Sequence, residues 1–257
     1  MHSMYPKPLL RPAQRGVALF VVIVFVMLSM LLAIWASRTS LFNELVVGND
    51  ADYQRAYEAA QALLQDAELD IRGEKADGTV CVPSGKVCRI STALQFPAEA
   101  KDITPLVNTL DGQPTKCLEA LCARRTGRQD FWNYTNATSP VPTALQAGEV
   151  PLEQLTVEGI GARYGEYTGA SLGDTSNPIN PILADRSANN RGGWYWIEVM
   201  PYRDTKSKVI VNSGEPEYLQ LNLDVYVVYR ITALANGIKP GTQVVLQQTY
   251  ARQRKPD

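Results

Sequence analysis

The hydrophobic pattern changes twice along the chain. From Gly16 to Ser37 the 22 residues carry no charge. As an α-helix they would extend about 33 Å, enough to cross a bilayer core. In lipid such a stretch must be helical, because hydrocarbon offers no partner to backbone polar groups, so its many Val and Ile residues are no objection. Trp35 lies near the far boundary, where an amphipathic ring is favoured. The period then becomes that of a helix in water. Tyr53, Ala56, Tyr57, Ala60, Leu63, Leu64, Ala67 and Ile71 recur at steps of three and four. Gln54, Arg55, Glu58, Gln61, Gln65, Asp66 and Glu68 are assigned to the polar face. Gly48-Asn49-Asp50 interrupts the pattern and is expected to loosen or restart the helix, and Gly73 is expected to end it. Residues 17–72 as one near-continuous helix would be about 84 Å long, half in lipid and half packed on a soluble domain. A sustained heptad is absent, which disfavours a coiled coil.

The C-terminal third alternates with the period of strands. Trp194–Met200, the run Tyr218–Ala233 and Gln243–Ala251 are rich in β-branched and aromatic residues, and Lys239-Pro240-Gly241 marks a turn. They predict an antiparallel meander over about 190–252, with one face free to pack on the amphipathic helix. The fold class is therefore α+β: a long N-terminal helix on an antiparallel sheet with long loops. Residues 73–190 are rich in Gly, Pro, Asn, Thr and Ser and show weak periodicity. The cluster Asp130-Phe131-Trp132-Asn133-Tyr134 is read as a core plug, and the sequons at Asn133 and Asn136 as chance.

Charge gives the long helix a direction. The chain carries net charge −1. Lys7, Arg11 and Arg15 occupy the first sixteen residues with no acid, so the remainder carries about −4. Three basic residues before the span, against Arg38, Glu44, Asp50 and Asp52 after it, predict a cytoplasmic N-terminus and a body outside the inner membrane. Nucleic acid is not an expected partner. His2 is the single histidine, so the body lacks the usual proton shuttle and the commonest metal ligand. Gly159-Ile160-Gly161-Ala162-Arg163-Tyr164-Gly165 is read as a loop, since its third Gly is one place late for a dinucleotide fingerprint. Ser84-Gly85-Lys86 lacks the upstream Gly of a phosphate loop, and Asp174-Thr175-Ser176-Asn177 is not followed by a calcium-loop pattern. Arg252, Arg254 and Lys255 form a basic tail read as solvated. No enzyme activity, cofactor, metal or small-molecule substrate is expected.

Cys81, Cys88, Cys117 and Cys122 fall in two close pairs. Outside the inner membrane thiols are usually oxidised, and three connectivities are possible. Pairing within each turn-rich segment, 81 with 88 and 117 with 122, is preferred. A zinc site is the rival, but neither spacing is CxxC.

The N-terminus can be read as a secretory signal, a simple signal anchor or a prepilin leader. Arg15-Gly16 immediately before the apolar run resembles a class III prepilin signal. That resemblance makes Gly16 the last leader residue and Val17 the first, N-methylated residue of the mature subunit after cleavage by prepilin peptidase. The residues that follow resemble the PilX family of minor pilins. The match lies in Leu41-Phe42-Asn43-Glu44, then Gly48-Asn49, then the Ala-rich stretch Tyr53–Glu68 containing Glu58-Ala59-Ala60-Gln61-Ala62. The chain end resembles the same family: Arg230-Ile231-Thr232-Ala233, then Gly241-Thr242-Gln243-Val244-Val245-Leu246-Gln247-Gln248-Thr249-Tyr250, with Gln248 where Ser is usual.

The resemblance divides the chain into a leader (1–16), a polymerisation half of the helix (17–37), an amphipathic half (38–72) and a periplasmic domain (73–257). It implies assembly into a type IV pilus with other minor pilins, the major pilin, a large tip adhesin and the inner-membrane assembly platform as partners. One position departs from the pilin pattern. The fifth mature residue is Val21, where most pilins have a glutamate that neutralises a neighbour's terminal ammonium. K-type minor pseudopilins also lack that acid and sit at a tip, so a tip or priming position is expected here. A type II secretion pseudopilin and a single-pass envelope binding protein are the alternatives.

Overall fold

The computed structural model describes residues 15–82, 87–89, 94–125, 149–202, 223, 225 and 227–253. The leader before Arg15, the Ser84-Gly85-Lys86 turn, the aromatic cluster at 130–134 with both sequons, most of the stretch 218–226, and Arg254 and Lys255 lie outside them.

Helix α1 spans Arg15–Arg72. The chain divides into two compact units, Met1–Asp50 and Ala51–Asp257, and the boundary falls inside this helix. In the first unit, residues 17–47 are all exposed. Among the described residues this is the one helix long and apolar enough to cross a membrane. Two of its hydroxyls bond back to the helix: Ser29 donates to the Phe25 carbonyl at 2.8 Å and Thr39 to the Trp35 carbonyl at 3.0 Å. The expected break at Gly48-Asn49-Asp50 is not there, and the helix runs through it. A single glycine costs only about 1 kcal/mol, which is too little to stop a helix with long flanking turns.

In the second unit α1 lies against a sheet. Ala56, Ala59, Ala60, Leu63, Ala67 and Ile71 are buried, and the alanines let the backbone come close. Two assignments from the sequence are corrected. Tyr53 is exposed, and Asp66, placed on the polar face, is buried. Gly73 ends the helix in the left-handed region at φ +67°, with its N–H on the Asp70 carbonyl and that of Glu74 on the Leu69 carbonyl.

After α1 come α2 (Ala100–Asp111), β1 (Cys117–Leu118), β2 (Leu121–Ala123), α3 (Leu152–Leu155), β3 (Gly173–Asp174), β4 (Asn177–Pro178), α4 (Pro181–Ala184), β5 (Gly193–Pro201), β6 (Val227–Asn236) and β7 (Gln243–Tyr250). The expected meander is present as β5–β6–β7, with Trp196 opposite Thr232 and Thr232 opposite Gln247. The sheet is not wholly antiparallel, however. Its order is β1-β2-β5-β6-β7, and β2 runs parallel to β5 with Leu121 opposite Ile197. Strands of two and three residues are too short for alternation to reveal them. β3 and β4 form a separate hairpin.

Both faces of the sheet are covered. Tyr195, Ile197, Val199, Tyr229, Ile231 and Ala233 join the α1 side of the core. Trp194, Trp196 and Leu234 face a second cluster with Leu152, Leu155, Cys117 and Cys122. This explains why β5 is apolar on both faces except at Glu198, a buried acid that pairs with Arg230. Gly193 opens β5 against Leu63 of α1. A Cβ there would lie 2.5 Å from Leu63 Cδ1 and 3.1 Å from Leu183 Cδ2.

Candidate assembly helix and its buried carboxylates

The residues expected to carry cleavage and filament packing lie at the start of α1. Gly16 and Val17 are in its first turn, and Val21 follows on an exposed stretch that holds no acid before Glu44. Val17 and Val21 are 68% and 56% exposed, so both present apolar surface to whatever surrounds the helix. The four cysteines lie in the second unit and form two disulfides, Cys81–Cys88 and Cys117–Cys122.

In that second unit α1 carries a set of acids that pattern reading did not single out. Asp52, Ala56, Ala59, Leu63, Asp66 and Asp70 follow one another at alternating steps of four and three, which puts all six on one stripe facing the domain. Each of the three aspartates meets a different segment of chain.

Asp52 accepts the backbone N–H groups of Ile238 at 3.0 Å and Lys239 at 3.1 Å, in the turn between β6 and β7. Burial alone would raise its pKa. The hydrogen bonds from Thr242, Lys239 and Ile238 outweigh burial and bring it below the usual carboxylate value.

Asp66 accepts the Gly165 N–H at 2.7 Å and the Thr168 hydroxyl. Its donors are neutral, so burial dominates and pushes it up to about 6, with the charges of Asp70 and Glu166 adding to the rise.

Asp70 is the one of the three held by a buried guanidinium. Arg89 Nε and Nη2 reach its two oxygens at 2.9 and 2.6 Å, and both side chains are about 95% buried. The Tyr195 hydroxyl donates to the same carboxylate at 3.3 Å. Arg89 also donates to the Glu119 carbonyl at 2.7 Å, and its guanidinium lies 4.0 Å from the Tyr167 ring centre and 5.0 Å from that of Phe96. Burial would lower the Arg89 pKa, but Asp70 more than offsets it and the guanidinium stays charged. Burial, then Asp70, raises Tyr195 well above its ordinary value, so its hydroxyl keeps its proton and donates.

Further contacts tie the sheet to α1 and to its loops. Gln248, the departure from the usual Ser, donates from Nε2 to Glu68 on α1. On the opposite face Glu198 takes Arg230 through two contacts of 2.6 Å and the Arg125 N–H at 2.9 Å. Burial lowers Arg125 to about 10, against the pull of Glu198. Arg163, from the glycine-rich loop, stacks 3.7 Å from the Trp194 ring and donates to the carbonyls of Ala188 and Arg191. That loop is a packing element that pins residues 188–193 beside β5.

A cleft of about 240 Å³ lies beside the end of α1, lined by Arg72, Arg89, Arg252, Phe96 and the Cys81–Cys88 bond. Among the described residues no group of three potential metal ligands converges. What the arrangement can do is mechanical. It fixes the lower part of a long helix to a sheet through three carboxylates, each held by a separate loop.

Comparison with protein families gives two matches. Residues 15–65 match a family described as PilX N-terminal, and residues 118–252 match one described as Type IV pilus assembly protein PilX C-term. No curated protein and no solved structure matches the chain.

Proposed function

The chain belongs to the PilX family of type IV pilus assembly proteins, and from that premise we propose that it is a minor pilin that starts the fibre from its tip or from a priming complex. Prepilin peptidase cuts after Gly16, Val17 becomes the N-methylated first residue, and the exported domain faces the periplasm. The apolar part of α1 waits in the inner membrane. It then leaves lipid to pack among the helices of other minor pilins and the major pilin, beneath a large tip adhesin and above the assembly platform.

The observation that carries the tip placement is the acid-free start of α1. From Val17 to Ser37 the helix offers no carboxylate, and Val21 occupies the fifth mature position. In the middle of a fibre the terminal ammonium of an adjacent subunit would meet an apolar side chain there. A buried unpaired charge is costly, so a position with one neighbour fewer is favoured. A K-type pseudopilin would share this feature. The description of the family matched by residues 118–252, a type IV pilus assembly protein, favours the pilus.

Mass spectrometry of the assembled subunit tests the processing. N-methyl-Val17 is expected in cells with prepilin peptidase, and an intact leader in cells without it. An assembled subunit that keeps the leader would end this reading. Subunit-specific labelling tests the placement: signal at fibre ends is expected, and even spacing along fibres would remove the tip assignment.

A further inference from the structure

The two disulfides sit in contrasting surroundings. Cys117 and Cys122 close the β1–β2 hairpin and are 1% and 0% exposed, sealed under the tryptophan face of the sheet. Cys81 is half-buried while Cys88 is 4% exposed, and both line the 240 Å³ cleft with Asp70, Arg72, Arg89 and Arg252. We propose that Cys81–Cys88 is a thiol-exchange site, opened in the folded protein by an envelope dithiol, and that it clamps Arg89 onto Asp70.

The step balances as an ordinary exchange. One thiolate of the dithiol attacks a sulfur of the pair and forms a mixed disulfide, while the other sulfur leaves as a thiolate. The second thiol of the dithiol, as its thiolate, attacks the mixed disulfide. Cys81 and Cys88 end as thiols and the dithiol as a disulfide, with two electrons and two protons transferred. Arg72 and Arg89 in the same wall already pair with Glu74 and Asp70, so access to Cys81, not charge, is what favours attack here.

The clamp follows from chain geometry. Cys88 is held at φ +68°, an uncommon conformation for a residue with a side chain, and its N–H donates to the Tyr167 carbonyl at 3.1 Å. The Cys81 N–H donates to the Gly73 carbonyl at 2.8 Å, at the end of α1. The disulfide joins these two anchor points, and Arg89 is the next residue. Opening the bond removes the tether that places the guanidinium beside Tyr167 and Phe96. Asp70 would then remain buried with a tyrosine hydroxyl and no guanidinium, so the contacts of the end of α1 with Cys81 and Arg89 are the part expected to loosen. The sheet is closed by other contacts and by Cys117–Cys122.

This chemistry does not depend on where in a fibre the subunit sits. The full chain in detergent, exposed to dithiothreitol without denaturant and quenched with iodoacetamide, reads it directly. Peptide mapping is expected to find Cys81 and Cys88 alkylated about ten-fold faster than Cys117 and Cys122. Equal rates, or the reverse order, would overturn the exchange site. Hydrogen exchange reads the clamp. The Cys81→Ser/Cys88→Ser chain, and separately Arg89→Gln with the disulfide intact, should both lose protection over 66–82 while β5–β7 keep theirs. Unchanged protection in either, or loss spread evenly across the sheet, would overturn the clamp.

Discussion

At the scale of single residues, the decisive feature is that three acids on one helix have unequal partners. Asp66 has only neutral donors and is raised to about 6 from 3.8. The folded state therefore binds its proton more tightly than the unfolded state between those values. Stability from this group is greatest below about pH 4 and falls as pH rises through 6, by an amount on the order of 3 kcal/mol. Asp66→Asn can still accept from the Gly165 N–H while its amide donates to Thr168, and it does not titrate. Denaturation midpoints measured from pH 4 to 7 should show the wild type losing stability relative to Asp66→Asn across that window. A constant difference would show that burial does not govern this carboxyl. Asp52, with its pKa lowered by two backbone N–H groups and Thr242, acts in the opposite sense and loses its contribution as pH falls. Asp70 depends on charge pairing. Arg89→Met strands a buried carboxylate and should cost about 3–5 kcal/mol, and adding Asp70→Asn to the same chain should recover part of the loss. Urea denaturation of the single and double variants checks this, and a single-variant cost under about 1 kcal/mol would mean that the pair is effectively solvated.

At the scale of elements, the sequence was legible where a long period repeats. The uninterrupted apolar run and the three- and four-residue steps point to α1, and β-branched and aromatic runs, alternating in 218–233, point to β5–β7. Asp66 was assigned to the wrong face because an acid within an apolar stripe reads as an interruption of it. The spacing Asp52, Ala56, Ala59, Leu63, Asp66, Asp70 held the signal, but nothing in it named Arg89, Gly165 or the β6–β7 turn as partners. Those contacts join positions from 19 to 187 residues apart. The parallel pairing of β2 with β5 was equally hidden, since strands this short carry no period and their register is set by the long strand beside them. Gly193 shows how closely helix and sheet approach. Gly193→Ala would place a methyl against Leu63 and Leu183 and should cost about 1–3 kcal/mol through overpacking. Thermal unfolding should show the loss, and combining it with Leu63→Ala should make the two effects non-additive. Strict additivity would mean that the side chains move aside freely.

At the scale of the whole molecule, assembly asks one helix to be stable in two surroundings. Lipid requires an apolar exterior, which residues 17–37 supply without a charge. Under the proposed processing, a fibre interior would impose the further demand that each terminal ammonium find a carboxylate, which Val21 could not supply. If Val21 is what keeps this subunit at an end, Val21→Glu should remove the restriction. The cost of the new acid in the membrane is bounded, because in the proposed orientation Val21 would lie near the cytoplasmic boundary, where a charge is far cheaper than at the bilayer centre. The variant should therefore still insert and still be processed, and N-terminal mass spectrometry verifies both before fibres are inspected. Labelled Val21→Glu subunits should then appear along the fibre length, with the wild type confined to the ends. If both proteins stay at the ends, the exported domain and not the missing acid sets the position. If both are distributed along the length, the ammonium is being neutralised by some other group, and the acid-free start of α1 serves only to anchor the subunit more firmly before assembly.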